Sequence, residues 1–257
     1  MDLFLVIGVV VGILAVVIGM MVKGANVLAL LNPAAAIIIF VGTAAAVMNS
    51  FPKKEFLNIP KILGALFKEN PTEDPTAIIR QMVDMAQTAR REGLLSLEQT
   101  AQTLENQFMK KGLGMVVDGI EQEYVRDALN IEIEITEERH RAGAAIFSAA
   151  GASAPTLGVL GAVIGLIGAL GNLSDTEKLG GSIAAAFVAT LYGIFLGYVI
   201  CHPFATRLKR KSHEEISKMR IIVEGLLAIQ AGENPTNIEM KLTGMLEPKD
   251  RKKLEQA

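Results

Sequence analysis

The chain has 257 residues, 51% hydrophobic and 20% charged, with a net charge of −2. That balance gives no basic surface for nucleic acid. The single cysteine, Cys201, excludes an internal disulfide framework and a multi-cysteine metal site.

The first predicted element is a charge-free run, Leu3–Val22, and three more follow at Val27–Phe51, Ala142–Leu170 and Ile183–Cys201. A helix needs about 20 apolar residues to cross the roughly 30 Å hydrocarbon layer. A span must also satisfy its own backbone hydrogen bonds, so all four are predicted to be helical. The fold class is therefore an all-α membrane protein: four transmembrane helices and a helical domain built from the 2–3 loop and the C-terminal segment. The corresponding division is 1–51, first two spans; 52–141, polar helical domain; 142–203, last two spans; 204–257, C-terminal helices. The start Met1-Asp2 lacks a basic n-region, so the first run reads as a retained helix.

The second span is expected to become regular at Asn32-Pro33, because proline suits a first helical turn, and to close at Pro52. In the polar block, Asn58-Ile59-Pro60 and Asn70-Pro71-Thr72-Glu73-Asp74-Pro75 are turn or cap signals. A helix is expected from Thr76 to about Arg91, with Ile79, Met82, Val83, Met85 and Ala86 on its apolar face and Gly93 at its end. Ser96 is expected to cap a helix running to about Met109, and another follows from Met115 to about Asn130. The charged stretch Ile131–Arg141 is expected to run straight into the third span. There, Pro155 removes a hydrogen bond and favours a kink. The fourth span carries Thr190 and is expected to end at His202-Pro203. It continues as an exposed helix through the basic run Arg207–Lys211, a headgroup anchor, to about Ala231. Asn234-Pro235 starts a short last element.

Lys23 and Lys178 are the basic residues of the two short connections, and every other one of the 25 Lys and Arg residues lies in the polar blocks. The positive-inside rule places those blocks, and both termini, in the cytoplasm. The spans hold no Asp, Glu, Lys, Arg or His. Intramembrane ionisable groups are the usual mark of ion handling, so a partner would have to supply the charge. Small residues form stripes: Gly8, Gly12, Ala15, Gly19; Gly158, Gly161, Gly165, Gly168; and Ala186, Ala189, Gly193, Gly197. Such stripes let backbones approach, either within one subunit or against another subunit or a central helix. His140, His202 and His213 are too scattered for a zinc site. No nucleotide loop, metalloprotease motif or catalytic constellation is present, so no enzyme activity, cofactor or metal is expected.

The run Ala154-Pro155-Thr156-Leu157-Gly158-Val159-Leu160-Gly161-Ala162-Val163-Ile164-Gly165-Leu166 resembles the third-span signature of MotA/PomA flagellar stator proteins. Asn32-Pro33-Ala34-Ala35, Ala189-Thr190-Leu191-Tyr192-Gly193-Ile194-Phe195, His202-Pro203-Phe204-Ala205 and Arg90-Arg91-Glu92-Gly93-Leu94-Leu95-Ser96-Leu97-Glu98 are similar to it too, and the likeness covers most of the chain in order. The resemblance implies a homopentamer in the bacterial inner membrane around two copies of a MotB-like single-span partner. That partner carries the proton-accepting Asp, and the complex drives the rotor protein FliG. It further implies that Pro155 and Pro203 couple ion passage to movement. Thr190 would face the partner's Asp, Arg90 and Glu98 would contact the rotor, and Gly158, Gly161 and Gly165 would pack against a subunit or the partner. A bend and a helix stop, a back-bonded hydroxyl, and solvated charges are the purely structural alternatives for these residues. Sodium-driven relatives carry threonine where this chain has Ala162, and sodium prefers oxygen ligands, so H+ is favoured over Na+. The ExbB/TolQ family is the nearest alternative, with three spans rather than four. A self-sufficient channel or transporter would require intramembrane charges or an internal repeat.

Overall fold

The computed structural model describes residues 2–68 and 74–255. Among them every regular element is helical. In chain order these are α1 (Leu3–Val22), α2 (Pro33–Ala36), α3 (Gly42–Ser50), α4 (Lys53–Leu57), α5 (Ile59–Phe67), α6 (Pro75–Glu92), α7 (Glu98–Thr103) and α8 (Gln107–Val117), followed by α9 (Gln122–Leu170), α10 (Thr176–Ile194), α11 (His202–Gln230), α12 (Pro235–Thr243) and α13 (Pro248–Glu255). Two π-helical segments, Ile37–Val41 and Phe195–Cys201, join α2 to α3 and α10 to α11. Among the described residues four helical runs are long and apolar enough to cross a membrane. By its contacts the chain divides into an apolar unit, residues 1–70 with 140–210, and a polar unit, residues 71–139 with 211–257.

In the apolar unit, Asn32 caps α2 by accepting from the Ala35 N–H at 2.9 Å, with Pro33 in the first turn as expected. The second span buries Ala35, Ile39, Thr43 and Val47, one residue per turn. Val47 packs with Ile146, Ala150 and Cys201, and Ala35 packs with Val188 and Ala189. Helices α4 and α5 belong to this unit too, α4 through Phe56 and α5 through Ile59, Ile62 and Leu66. Asp2 caps α1, and its carboxylate receives Arg207 Nε at 2.8 Å. Arg207 is thus tied to the first turn of α1.

The polar unit has an aliphatic core that includes Ile79, Met82, Leu113, Leu129, Ile222, Leu226, Ile238 and Leu242. Helix α6 matches its expected span and face. Asp74 caps it, accepting from the Thr76 N–H at 3.1 Å; the preceding signals at 70–73 lie outside the described residues. Gly93 ends α6 at φ 86°, a conformation costly for any residue with a Cβ.

Four expectations fail here. Ser96 caps nothing: its hydroxyl donates to the Gly93 carbonyl, inside a 3₁₀ turn over Leu94–Leu97. The helix expected to reach Met109 breaks at residues 104–106, where Leu104 is buried and Asn106 caps α8. The helix expected from Met115 is interrupted at Gly119, φ 71°, so α9 starts at Gln122. The extension after Arg207 is not simply exposed, because Ile216, Ile221, Ile222, Leu226 and Ile229 bury in the core. The charged stretch does continue into the third span, in one 49-residue helix. A second C-terminal helix, α13, follows the expected α12.

Candidate functional site

The stripes of the third and fourth spans meet each other. A Cβ on Gly158 would lie 3.2 Å from the Ala189 carbonyl oxygen and 3.2 Å from the Thr190 Cα. One on Gly161 would lie 2.7 Å from the Ala189 Cβ, and one on Gly165 would lie 2.8 Å from the Ala186 Cβ. From the other side, a Cβ on Gly193 would lie 2.5 Å from the Ala154 carbonyl oxygen and 2.9 Å from the Gly158 Cα. Lipid gives helices no hydrophobic push toward each other, so this close approach carries the packing. The structure therefore places Gly158, Gly161 and Gly165 in a seam within one chain.

Thr190 sits on that seam. Its hydroxyl lies 3.4 Å from the Gly158 carbonyl oxygen and 3.3 Å from the Ala186 carbonyl oxygen. One hydroxyl proton is shared between these acceptors, and the oxygen keeps its own accepting capacity. Ala162 is half-buried, one turn from Gly158.

Pro155 is half-buried inside α9. It has no N–H, so the Gly151 carbonyl loses its helical donor. Gly197 lies against this gap: a Cβ there would be 2.8 Å from the Gly151 carbonyl oxygen and 2.9 Å from the Pro155 Cγ. The His202 ring also packs on Gly151, at 2.9 Å from an added Cβ. Pro203 is exposed, and the helix runs through it from the fourth span into α11, as expected. The preceding π segment Phe195–Cys201 shifts the bonding from i−4 to i−5, so the missing proline donor is absorbed without a break.

Sequence reasoning missed the π segments, the link from the Tyr192 hydroxyl to the Leu30 carbonyl, and the special seat of Gly197. Nothing in residue type marks i→i+5 bonding; the missing donor of Pro203 was the available hint.

Arg90 and Glu98 belong to the polar unit, far from the seam in sequence. Both are exposed, at the end of α6 and the start of α7. The corner between them is held by buried Leu97 and presents Leu95, 73% exposed, between the two charges. Among the described residues no cluster of three His, Cys, Asp or Glu converges on a metal position.

Residues 6–93 match the motility protein A N-terminal family, and residues 100–221 match the MotA/TolQ/ExbB proton channel family. Over 253 residues the chain is 49% identical to Motility protein A of Bacillus subtilis, spanning 98% of this chain and 94% of that protein. The chain belongs to the motility protein A family. It is also 35% identical to chemotaxis protein PomA of Vibrio alginolyticus over 246 residues, 96% of each. Among solved structures, the flagellar MotAB stator complex from Bacillus subtilis contains a chain matched with a TM-score of 0.91 at 49% identity, covering 96% of this chain and 97% of that one.

Proposed function

We propose that this chain is a stator subunit of the bacterial flagellar motor, in which ion flow across the inner membrane drives torque. One observation carries the reading: four spans free of charge fold as in the MotAB stator, at a TM-score of 0.91. Such spans line a path but cannot hold a proton within it, so a MotB-like single-span partner supplies the intramembrane Asp. The chain assembles as a pentamer around two such partners. Both termini and both polar blocks lie in the cytoplasm, where the corner Arg90–Leu95–Glu98 meets the rotor protein FliG by exposed charge and one apolar contact. One charge crossing 100 mV releases about 2.3 kcal/mol, enough to drive a conformational step. The match of residues 6–93 to the motility protein A N-terminal family favours this reading over an ExbB/TolQ-type subunit.

The ion is H+. Thr190 offers one hydroxyl oxygen whose proton is already engaged, and Ala162 offers none. A hard cation such as sodium needs several oxygens in place of its water. A proton needs a carboxyl and a relay. Swimming speed is expected to persist in sodium-free medium at fixed membrane potential. A halt there, restored by sodium, would overturn the assignment. Thr190→Val keeps the shape of the side chain and removes the relay, so torque should fall while the complex still co-purifies with its partner.

A further inference from the structure

The fourth span changes its winding at the level where the third span loses a hydrogen bond. Pro155 leaves the Gly151 carbonyl without its helical donor. Opposite it, residues Phe195–Cys201 form a π segment seven residues long. Gly197 stands in that segment and is the residue whose Cα faces both the Gly151 carbonyl oxygen and the Pro155 ring. A methyl group at 197 would lie 2.8 Å from the oxygen, 2.9 Å from Cγ and 3.0 Å from Cδ. The first of these neighbours is backbone and the other two belong to a rigid ring, so none can rotate aside as a flexible side chain would. Helix α11 starts at the end of the same segment, with the His202 ring over Gly151.

We infer that Gly197 and the π segment Phe195–Cys201 form a compliant bearing for the third span at Pro155, and that Gly197 is a positioning residue for the power stroke. This rests on the stator reading above. In a π segment i→i+5 and i→i+4 bonds exchange partners in small steps, so the extra residue can migrate along the helix without the helix coming apart. Each such exchange turns the part of the fourth span beyond it. The third span can flex at Pro155 because the Gly151 carbonyl is held by no helical donor. The contact that must slide is Gly197 Cα against the Gly151 carbonyl and the proline ring, and only a residue without a Cβ keeps that path clear. The bearing therefore governs how fast the stroke repeats, while the force of the stroke is set by the ion.

The test separates rate from force. Bead assays on single motors should be made in cells carrying Gly197→Ala in place of the wild-type gene. Stall torque per engaged unit should match wild type, and rotation rate at low load should fall by about threefold or more, because a conformational step has become slower. Unchanged low-load speed per unit would overturn the bearing. So would loss of stall torque per unit in parallel with speed. If deleting the wild-type gene leaves rotation intact, the stator reading itself fails. Hydrogen exchange of the wild-type complex with its partner gives a second measure that needs no variant. Amides of residues 195–201 should exchange about tenfold faster than those of residues 185–191 in the same span, reflecting local opening. Equal protection of the two stretches would overturn the inference.

Discussion

In the polar unit, Gly112 lies beneath the branched ends of Leu226 and Leu129. In the apolar unit, Gly193 lies against the backbone of Ala154 and Gly158. Both are glycines at helix contacts, yet they answer to different solvents. Water drives the large aliphatic side chains of the polar unit inward, at about 25 cal/mol per Å² buried, and glycine there leaves room for them. Along the spans of the apolar unit many large side chains point outward; Phe4, Ile7, Val11, Ile167 and Phe187 are all exposed. What holds those helices together is contact between backbones, which large residues would prevent.

The comparison breaks most sharply at the two glycines. Gly193→Ala places a methyl group 2.5 Å from the backbone of α9, which cannot rotate aside, so recovery of the complex with the partner after detergent extraction should fall sharply. Gly112→Ala meets only leucine ends that can change rotamer, and recovery should be near normal. Equal losses would mean that the two units pack by the same rule.

Next in size is truncation of the aliphatic core. Leu226→Ala should destabilise the purified complex by about 2–5 kcal/mol, since a buried leucine leaves a cavity. Thermal unfolding should show this as a lowered first transition. Ile167→Ala, at an exposed position on the third span, should leave that transition in place.

A smaller effect belongs to the cap of α6. The Asp74 carboxyl is held below the ordinary carboxylate range, chiefly by the hydrogen bond from the Thr76 backbone N–H. Desolvation opposes this, and the Thr76 side chain and the charges of Lys253 and Lys218 add to it. A lowered folded-state pKa stabilises above the unfolded value and loses that contribution as pH falls through the folded one. Asp74→Ala should therefore cost about 1 kcal/mol at neutral pH, as loss of a helix cap does. Measured by denaturant titration, its gap to wild type should close as the pH drops below about 4.

The smallest effect is expected at Thr43, 5% exposed in the second span, whose hydroxyl has no hydrogen-bond partner. Thr43→Val removes a buried unsatisfied group without changing shape, so thermal stability should stay level or rise by less than about 1 kcal/mol.

How far the chain could be read from its sequence follows the same division. The spans and their stripes were legible because charge exclusion and small-residue spacing are one-dimensional signals. The face of α6 was legible through its period. The breaks at 104–106 and at Gly119 were not, because Leu104 keeps helical spacing with Leu97, Ala101 and Phe108 and a lone glycine inside a helical pattern is ambiguous. The burial of α11 was hidden because its partner helices α6 and α8 lie far away in sequence. At the candidate site Pro155 and Thr190 stood out by type, whereas the role of Gly197 required knowing what faces it. The partner of Arg207 was hidden for a related reason: the acidic group that meets it lies 205 residues upstream.

That ion pair has a practical side. Asp2 is 7% exposed, its N–H donates to the Phe67 carbonyl at 2.8 Å, and its carboxylate serves both the first turn of α1 and Arg207. A fluorescent protein or affinity tag fused ahead of it would have to leave through this closed corner. Imaging and pull-down work is better served by a fusion after α13, whose last turns, from Arg251 to Lys253, are open to solvent.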